Sequence, residues 1–184
     1  DDIEIMAIDG VLQCYQNPGC WFTGVIVTNG AGPARAGVYA NFSSEQMVAV
    51  RGMEQKKAAL IGDYGAQILL DYSSAAIKDS SQHGPVDDLC LILEQTRPEV
   101  VYTHNLADKH PTHVAVALRA IQALRALPQE HRPGKVYGCE VWRDLNWLLD
   151  EDKVVFDTSE REHLQEALLG VYDSQIYAAK RYDL

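Results

Sequence analysis

Short runs of apolar, strand-type residues alternate with longer stretches of helical periodicity, and this alternation narrows the fold more than any other feature of the chain. Gly24-Val25-Ile26-Val27-Thr28 is an apolar run stopped by Asn29-Gly30-Ala31-Gly32-Pro33, which predicts a buried strand ending in a loop. Ser43 and Ser44 supply caps for a helix with Met47, Val50, Ala58 and Ile61 on one face and Gly62 just past its end. Ile68-Leu69-Leu70 reads as a second strand. Pro85 opens a helix carrying Val86, Leu89, Cys90 and Leu93 at helical spacing, and Arg97-Pro98 ends it. Val100-Val101-Tyr102-Thr103 is a third strand, and a loop through Asp108 and His110 leads to Pro111 and a helix with Ala117, Leu118, Ile121 and Leu124 facing inward. Beyond the loop from Pro128 to Gly134, Val136 to Trp142 alternates as a strand and Val154 to Phe156 reads as another. Glu160 to about Ala178 closes the chain as a helix with Leu164, Ala167, Leu168 and Val171 as its stripe. Such alternation predicts an α/β architecture, a mostly parallel sheet covered by helices on both faces. Its chemistry belongs in the loops beyond the carboxyl ends of the strands.

The front of the chain departs from that scheme. Asp1-Asp2-Ile3-Glu4 runs directly into a helix-like stretch, where a βα architecture places its first strand. We therefore expect residues 1–184 to form a single domain whose first strand lies upstream of Asp1. A formal charge of −10 repels phosphate backbones and anionic lipid, so nucleic acid and membrane surfaces are not expected partners. No apolar run approaches the roughly 20 residues that span a bilayer. Cys14, Cys20, Cys90 and Cys139 form no CxxC pair and read as reduced packing residues of a cytosolic, cytoplasmic protein.

Three of the six histidines fall within the ten residues His104 to His113, directly after a predicted buried strand. With Pro111 as first helical residue, His110 and His113 project from one helix start on nearly the same side. The positive field there favours neutral, metal-binding imidazole and welcomes an oxyanion. Asp108 is placed to hold a ring nitrogen of His110 and fix its tautomer. The alternative is a histidine-rich turn that only caps a helix. Asp1 and Asp2 read equally as caps or, beside a histidine pair, as one metal ligand and one base. Thr28-Asn29-Gly30-Ala31-Gly32 lacks phosphate-loop spacing and reads as a turn lining a pocket. Arg51 and Glu54, three apart on a helix, form either a surface ion pair or a substrate clamp.

Taken together, these segments resemble the PIG-L/LmbE-like N-acetylglucosaminyl deacetylases. Asp1-Asp2-Ile3-Glu4 resembles the tail of their His-Pro-Asp-Asp-x-Glu motif, and Thr28 to Gly32 their Thr-x-Gly-x-Gly turn. Arg51-Gly52-Met53-Glu54 resembles their Arg-x-x-Glu helix. Arg97-Pro98-Glu99-Val100-Val101 followed by Asp108-Lys109-His110-Pro111-Thr112-His113 resembles their Arg-Pro-Asp-Val-Val strand and Asp-x-His-Pro-Asp-His motif, with Thr112 in place of the second Asp. The resemblance implies a Rossmann-like three-layer α/β/α sandwich and a zinc-dependent amidase that deacetylates an N-acetylglucosamine-like conjugate. It makes Asp2 and His113 zinc ligands, Asp1 the general base, and His110 the group that stabilises the oxyanion and protonates the leaving amine. Arg51 then helps hold substrate, and Asp108 stands next to the active-site histidine. The third protein ligand is expected in the His-Pro that precedes Asp1 in the family pattern. Two alternatives stay open: an amidase acting on a thiol-sugar conjugate, and a non-catalytic sugar-binding module with a decayed site. The expected partner is a small amino-sugar conjugate, and a homo-oligomer is compatible with the sequence.

Overall fold

The acidic opening of the chain is helical in the computed structural model, which describes residues 1–32, 35–178 and 180. Helix α1 (Asp2–Met6) carries Asp2 and Glu4 in its first turn, where carboxylates interact favourably with the helix dipole, and α2 (Ile8–Cys14) follows. Strand β1 (Thr23–Thr28) comes next, then helix α3 (Ser44–Ile61) and strand β2 (Ala66–Tyr72), which forms a two-stranded sheet with β1. Capping fixes both ends of α3. Ser43 and Gln46 exchange side-chain and backbone hydrogen bonds in a capping box, and Gly62 donates its N–H to Ala58 O at the far end.

The chain divides into two compact units, Asp1–Asp71 with Val155–Leu184, and Tyr72–Val154. In the first, Val11, Ala58, Leu164, Leu168 and Tyr172 form the buried core, with Ile8, Leu12, Phe22, Ile61 and Tyr64 packed against it. A polar chain crosses this core. Gln55 Nε2 and the Tyr64 hydroxyl donate to Glu4 Oε1 at 2.9 and 2.8 Å, and the Tyr172 hydroxyl donates to Gln55 Oε1 at 2.9 Å. Each buried polar atom named here thus has a partner, which is the condition for tolerating them in an apolar interior.

The second unit contains α4 (Ser74–Lys78), α5 (Gly84–Thr96), β3 (Val100–His104), α6 (Pro111–Ala126) and β4 (Lys135–Cys139). Pro85 sits in the first turn of α5, where its missing N–H costs nothing, and Arg97 takes a left-handed conformation at the C-cap. Strands β3 and β4 pair in parallel from Val100 with Lys135 to His104 with Cys139. Helix α6 packs on α4, α5 and β3. The alternation predicted from sequence is therefore realised as an α/β fold.

Three local expectations fail for tertiary reasons. Leu118 is 48% exposed while its neighbour Arg119 is buried, because Arg119 Nε donates to Ile77 O at 3.1 Å and Nη2 to Asp79 O, capping the end of α4. The final helix is two, α7 (Glu162–Gly170) and α8 (Asp173–Tyr177), separated where Tyr172 turns into the core; Ala167 is exposed. Val154 to Phe156 belongs to no strand. Among the described residues, no helix is long and apolar enough to cross a membrane.

Burial, and then the adjacent Glu4 carboxylate, pushes the Tyr64 and Tyr172 phenols above their ordinary pKa. In the unfolded chain both ionise near about 10. Their contribution is therefore fully present below that pH and is lost above it, by about 1.4 kcal/mol per phenol for each further unit. Urea unfolding from about pH 8 to about pH 11 should show stability falling steeply above about 10, with Tyr64→Phe removing one phenol's share of the slope. A pH-independent midpoint across that range would contradict the network.

Candidate functional site

The sequence-predicted residues fall in both units. In the second, Asn105 builds the loop after β3. Its backbone N–H donates to Cys139 O at 2.7 Å, its side-chain amide donates to Gly138 O at 3.1 Å, and its Oδ1 accepts from Ala107 N at 2.9 Å. The loop is therefore tied to β4 before it reaches Asp108. The Asp108 side chain is fully buried. Its Oδ1 accepts from the backbone N–H of His110 at 2.7 Å, and its Oδ2 lies 3.1 Å from His113 Nδ1. The expectation that Asp108 holds the ring of His110 is thus corrected. The carboxylate takes the backbone of His110 and the ring of His113, because His113 stands one turn further along α6 and faces back toward the loop.

An Asp108 carboxylate accepts only, so His113 Nδ1 carries a proton and, in the neutral ring, Nε2 carries the lone pair. That is the tautomer in which an imidazole binds a metal, with the carboxylate behind it as orienting partner. His110 is the N-cap of α6, its Nδ1 accepting from Thr112 N at 3.3 Å. The rings of His110 and His113 lie 4.5 Å apart, which places them on one side of the helix start as expected. His104, the last residue of β3, stacks on His113 with centroids 4.0 Å apart and 12° between planes. Sequence reasoning counted His104 in the histidine cluster but gave it no role. Its signal was position: it ends a buried strand, where α/β folds place their chemistry.

In the first unit, Asp1 is the N-cap of α1, Lys180 Nζ pairs with its carboxylate, and Asp2 opens the helix. Asn29 Oδ1 accepts from Ala31 N at 3.2 Å in the turn after β1, and Gly30 takes a left-handed φ of +71°. Arg51 Nη1 reaches across from α3 to donate to Gly30 O at 3.0 Å. Glu54 is buried and accepts from Ser174 N and Oγ at 2.7 and 2.8 Å, holding the start of α8. The surface-pair reading of Arg51 and Glu54 does not hold, since the Glu54 carboxylate is inside the protein and engaged by Ser174. The structure joins Arg51 to the glycine turn.

A Cβ at Gly30 would lie 2.7 Å from Arg51 Cδ, in a backbone conformation that L side chains rarely adopt. Gly30→Ala should therefore lower stability by about 1–3 kcal/mol and displace Arg51. Thermal unfolding unchanged from the parent would contradict this.

The family model described as PIG-L, GlcNAc-PI de-N-acetylase, matches residues 1–124. Among solved structures, an N,N'-diacetylchitobiose deacetylase from Pyrococcus horikoshii, complexed with its inhibitor MPG, superposes with a TM-score of 0.68 at 18% identity. That similarity covers 95% of this chain and 66% of the other, so this chain spans just under two thirds of that protein's length. A conserved protein from Thermus thermophilus, TT1542, superposes with a TM-score of 0.65 at 17% identity, covering 98% of this chain and 78% of that one. At these identities the likeness establishes a shared α/β fold. No curated protein matches the sequence.

Proposed function

Because the chain belongs to the PIG-L family of GlcNAc-PI de-N-acetylases, we propose that it is a zinc-dependent hydrolase removing the acetyl group from an N-acetylglucosamine-like conjugate. The observation that carries this reading is the buried Asp108–His113 pair, with its 3.1 Å contact and His104 stacked on the same imidazole. A decayed binding module has no need of a buried carboxylate that fixes an imidazole in its metal-binding tautomer.

The family pattern assigns Asp2 and His113 to the metal, a carboxylate and an imidazole of the kind found in hydrolytic zinc sites, and His104, stacked on His113, offers a further imidazole beside them. Zinc bound there would supply Lewis acidity toward the acetyl carbonyl and a lowered pKa for water, and another divalent ion would serve in the same way. The remaining work falls to the chain's own side chains. Asp1 acts as general base and takes the proton from the attacking water. His110 faces the carbonyl oxygen as negative charge builds on it, next to the N-terminus of α6, whose field favours that charge. The proton that Asp1 took from the water then passes to the departing amine, with His110 helping to deliver it, so that the amine leaves neutral. Arg51 helps hold the sugar from the glycine turn. Asp108 keeps the ring of His113 in place throughout.

Acetate release from a panel of N-acetylglucosamine conjugates, with metal analysis before and after chelation, tests this reading. Exhaustive chelation should abolish release and added zinc should restore it. His113→Ala should lose metal and activity together, whereas His110→Ala should keep its metal and lose about 10²–10³ in turnover. Asp108→Asn should weaken metal binding by about 10–100-fold without unfolding the protein. Activity that survives chelation, or metal binding unchanged in both histidine variants, would overturn the assignment.

A further inference from the structure

The segment after β4, Glu140 to Trp147, has no regular secondary structure, yet it is tightly held. Glu140 is buried at 6% exposure. Its Oε1 accepts from Arg143 Nε at 2.8 Å and its Oε2 from Trp147 Nε1 at 3.2 Å. Arg143 also donates through Nη2 to Ala107 O at 3.3 Å, so the segment is anchored to the very loop that carries Asp108. Asp144 and Leu145 both adopt left-handed backbone, with φ of +49° and +55°. Neither is glycine, and L side chains hold such conformations only under strain. A buried carboxylate, a bridging arginine and two strained residues are more than a connecting turn needs.

What this scaffold holds in place is Trp142. Its ring lies 6.1 Å from that of His113 with only 16° between the planes, and Lys109 Nζ sits over the ring as a cation–π partner, 4.7 Å from its centroid. The indole is nevertheless 41% exposed. A large apolar ring kept half in water beside an imidazole centre gains from a ligand that covers it. The C–H face of a pyranose is such a ligand, flat enough to lie on an aromatic ring and apolar on that side. Lys109 covers part of the ring as a cation–π partner, the exposed remainder is left to the sugar, and His113 gives the direction of the reacting group.

We propose that Trp142 is a substrate-orienting residue, the wall on which the sugar ring of the conjugate packs while its N-acetyl group is directed toward His113. Glu140 and Arg143 are positioning residues that act through it. The inference rests on the deacetylase reading above, but it concerns recognition of the sugar ring and can be tested apart from catalysis. It also implies that specificity lies in the ring rather than in the acyl group.

The test compares the parent with Trp142→Leu, Trp142→Phe and the exposed-surface control Trp21→Phe, using three readouts. These are acetate release from N-acetylglucosamine conjugates, acetate release from an acyclic N-acetyl amine, and N-acetylglucosamine binding followed by calorimetry. Trp142→Leu should raise KM for the sugar amide by about three- to tenfold with kcat little changed. The acyclic amide, which has no ring to stack, should be processed by parent and variant alike. Trp142→Phe should recover most of the loss, and Trp21→Phe should behave as the parent. Equal loss on cyclic and acyclic amides, or unchanged KM in Trp142→Leu, would overturn the proposal. If the parent hydrolyses no amide, the deacetylase reading fails; sugar binding lost selectively in Trp142→Leu would still support the wall, and sugar binding equal in parent and variant would overturn it.

Discussion

The Asp108 carboxylate constrains more of the second unit than any other single group. It is buried without a lysine or arginine beside it in the bonds described, and two donors meet it: the backbone N–H of His110 and the ring of His113. A carboxylate in that position is tolerable only while both are present. The first bond sets how the chain enters α6, since His110 is the residue that caps the helix. The second sets the tautomer and plane of His113. The loop that delivers Asp108 is itself fixed by Asn105 against the end of β4. One acid thus couples the strand pair, the helix start and the chemistry, and the imidazole cannot be reoriented without uncovering a buried charge.

Much of the frame around this centre was legible because local chemistry and tertiary role agree there. Ser43, Gln46 and Gly62 mark the two ends of α3 by their capping chemistry, and Pro85 and Pro111 mark helix starts by their fixed φ and missing N–H. The histidine cluster was legible in outline for the same reason: it follows an apolar run and precedes a proline. Where the reading failed, a partner distant in sequence decided the outcome. Arg119 displaces Leu118 from the inward face because α4 offers the carbonyls of Ile77 and Asp79, and α4 carries no periodicity long enough to be seen in five residues. The break before α8 depends on Tyr172 reaching Gln55, more than a hundred residues earlier. Spacing within a helix cannot reveal either contact.

Arg51 and Glu54 show how spacing misleads even when it is right about proximity. Residues three apart on a helix are neighbours, so an ion pair was the simple expectation. The structure instead gives each a separate duty: Arg51 fastens the turn after β1, and Glu54 receives the N-terminus of α8. Charge type alone did not distinguish these duties. Burial did, because a carboxylate at 4% exposure must be answered by donors that the surface cannot supply.

That criterion can be carried through the molecule. Among the described residues four carboxylate side chains are buried: Glu4, Glu54, Asp108 and Glu140. Glu4 is met by an amide and a phenol, Glu54 by a backbone N–H and a hydroxyl, and Glu140 by a guanidinium and an indole. None of those donors changes protonation near neutrality. Asp108 alone ends on an imidazole, a group with a second nitrogen whose lone pair is directed by the first. Three of the buried acids therefore hold elements together, and the fourth also sets the plane of an imidazole. The distinction rests on what each carboxylate is bonded to, and it is independent of motif, charge count and family resemblance.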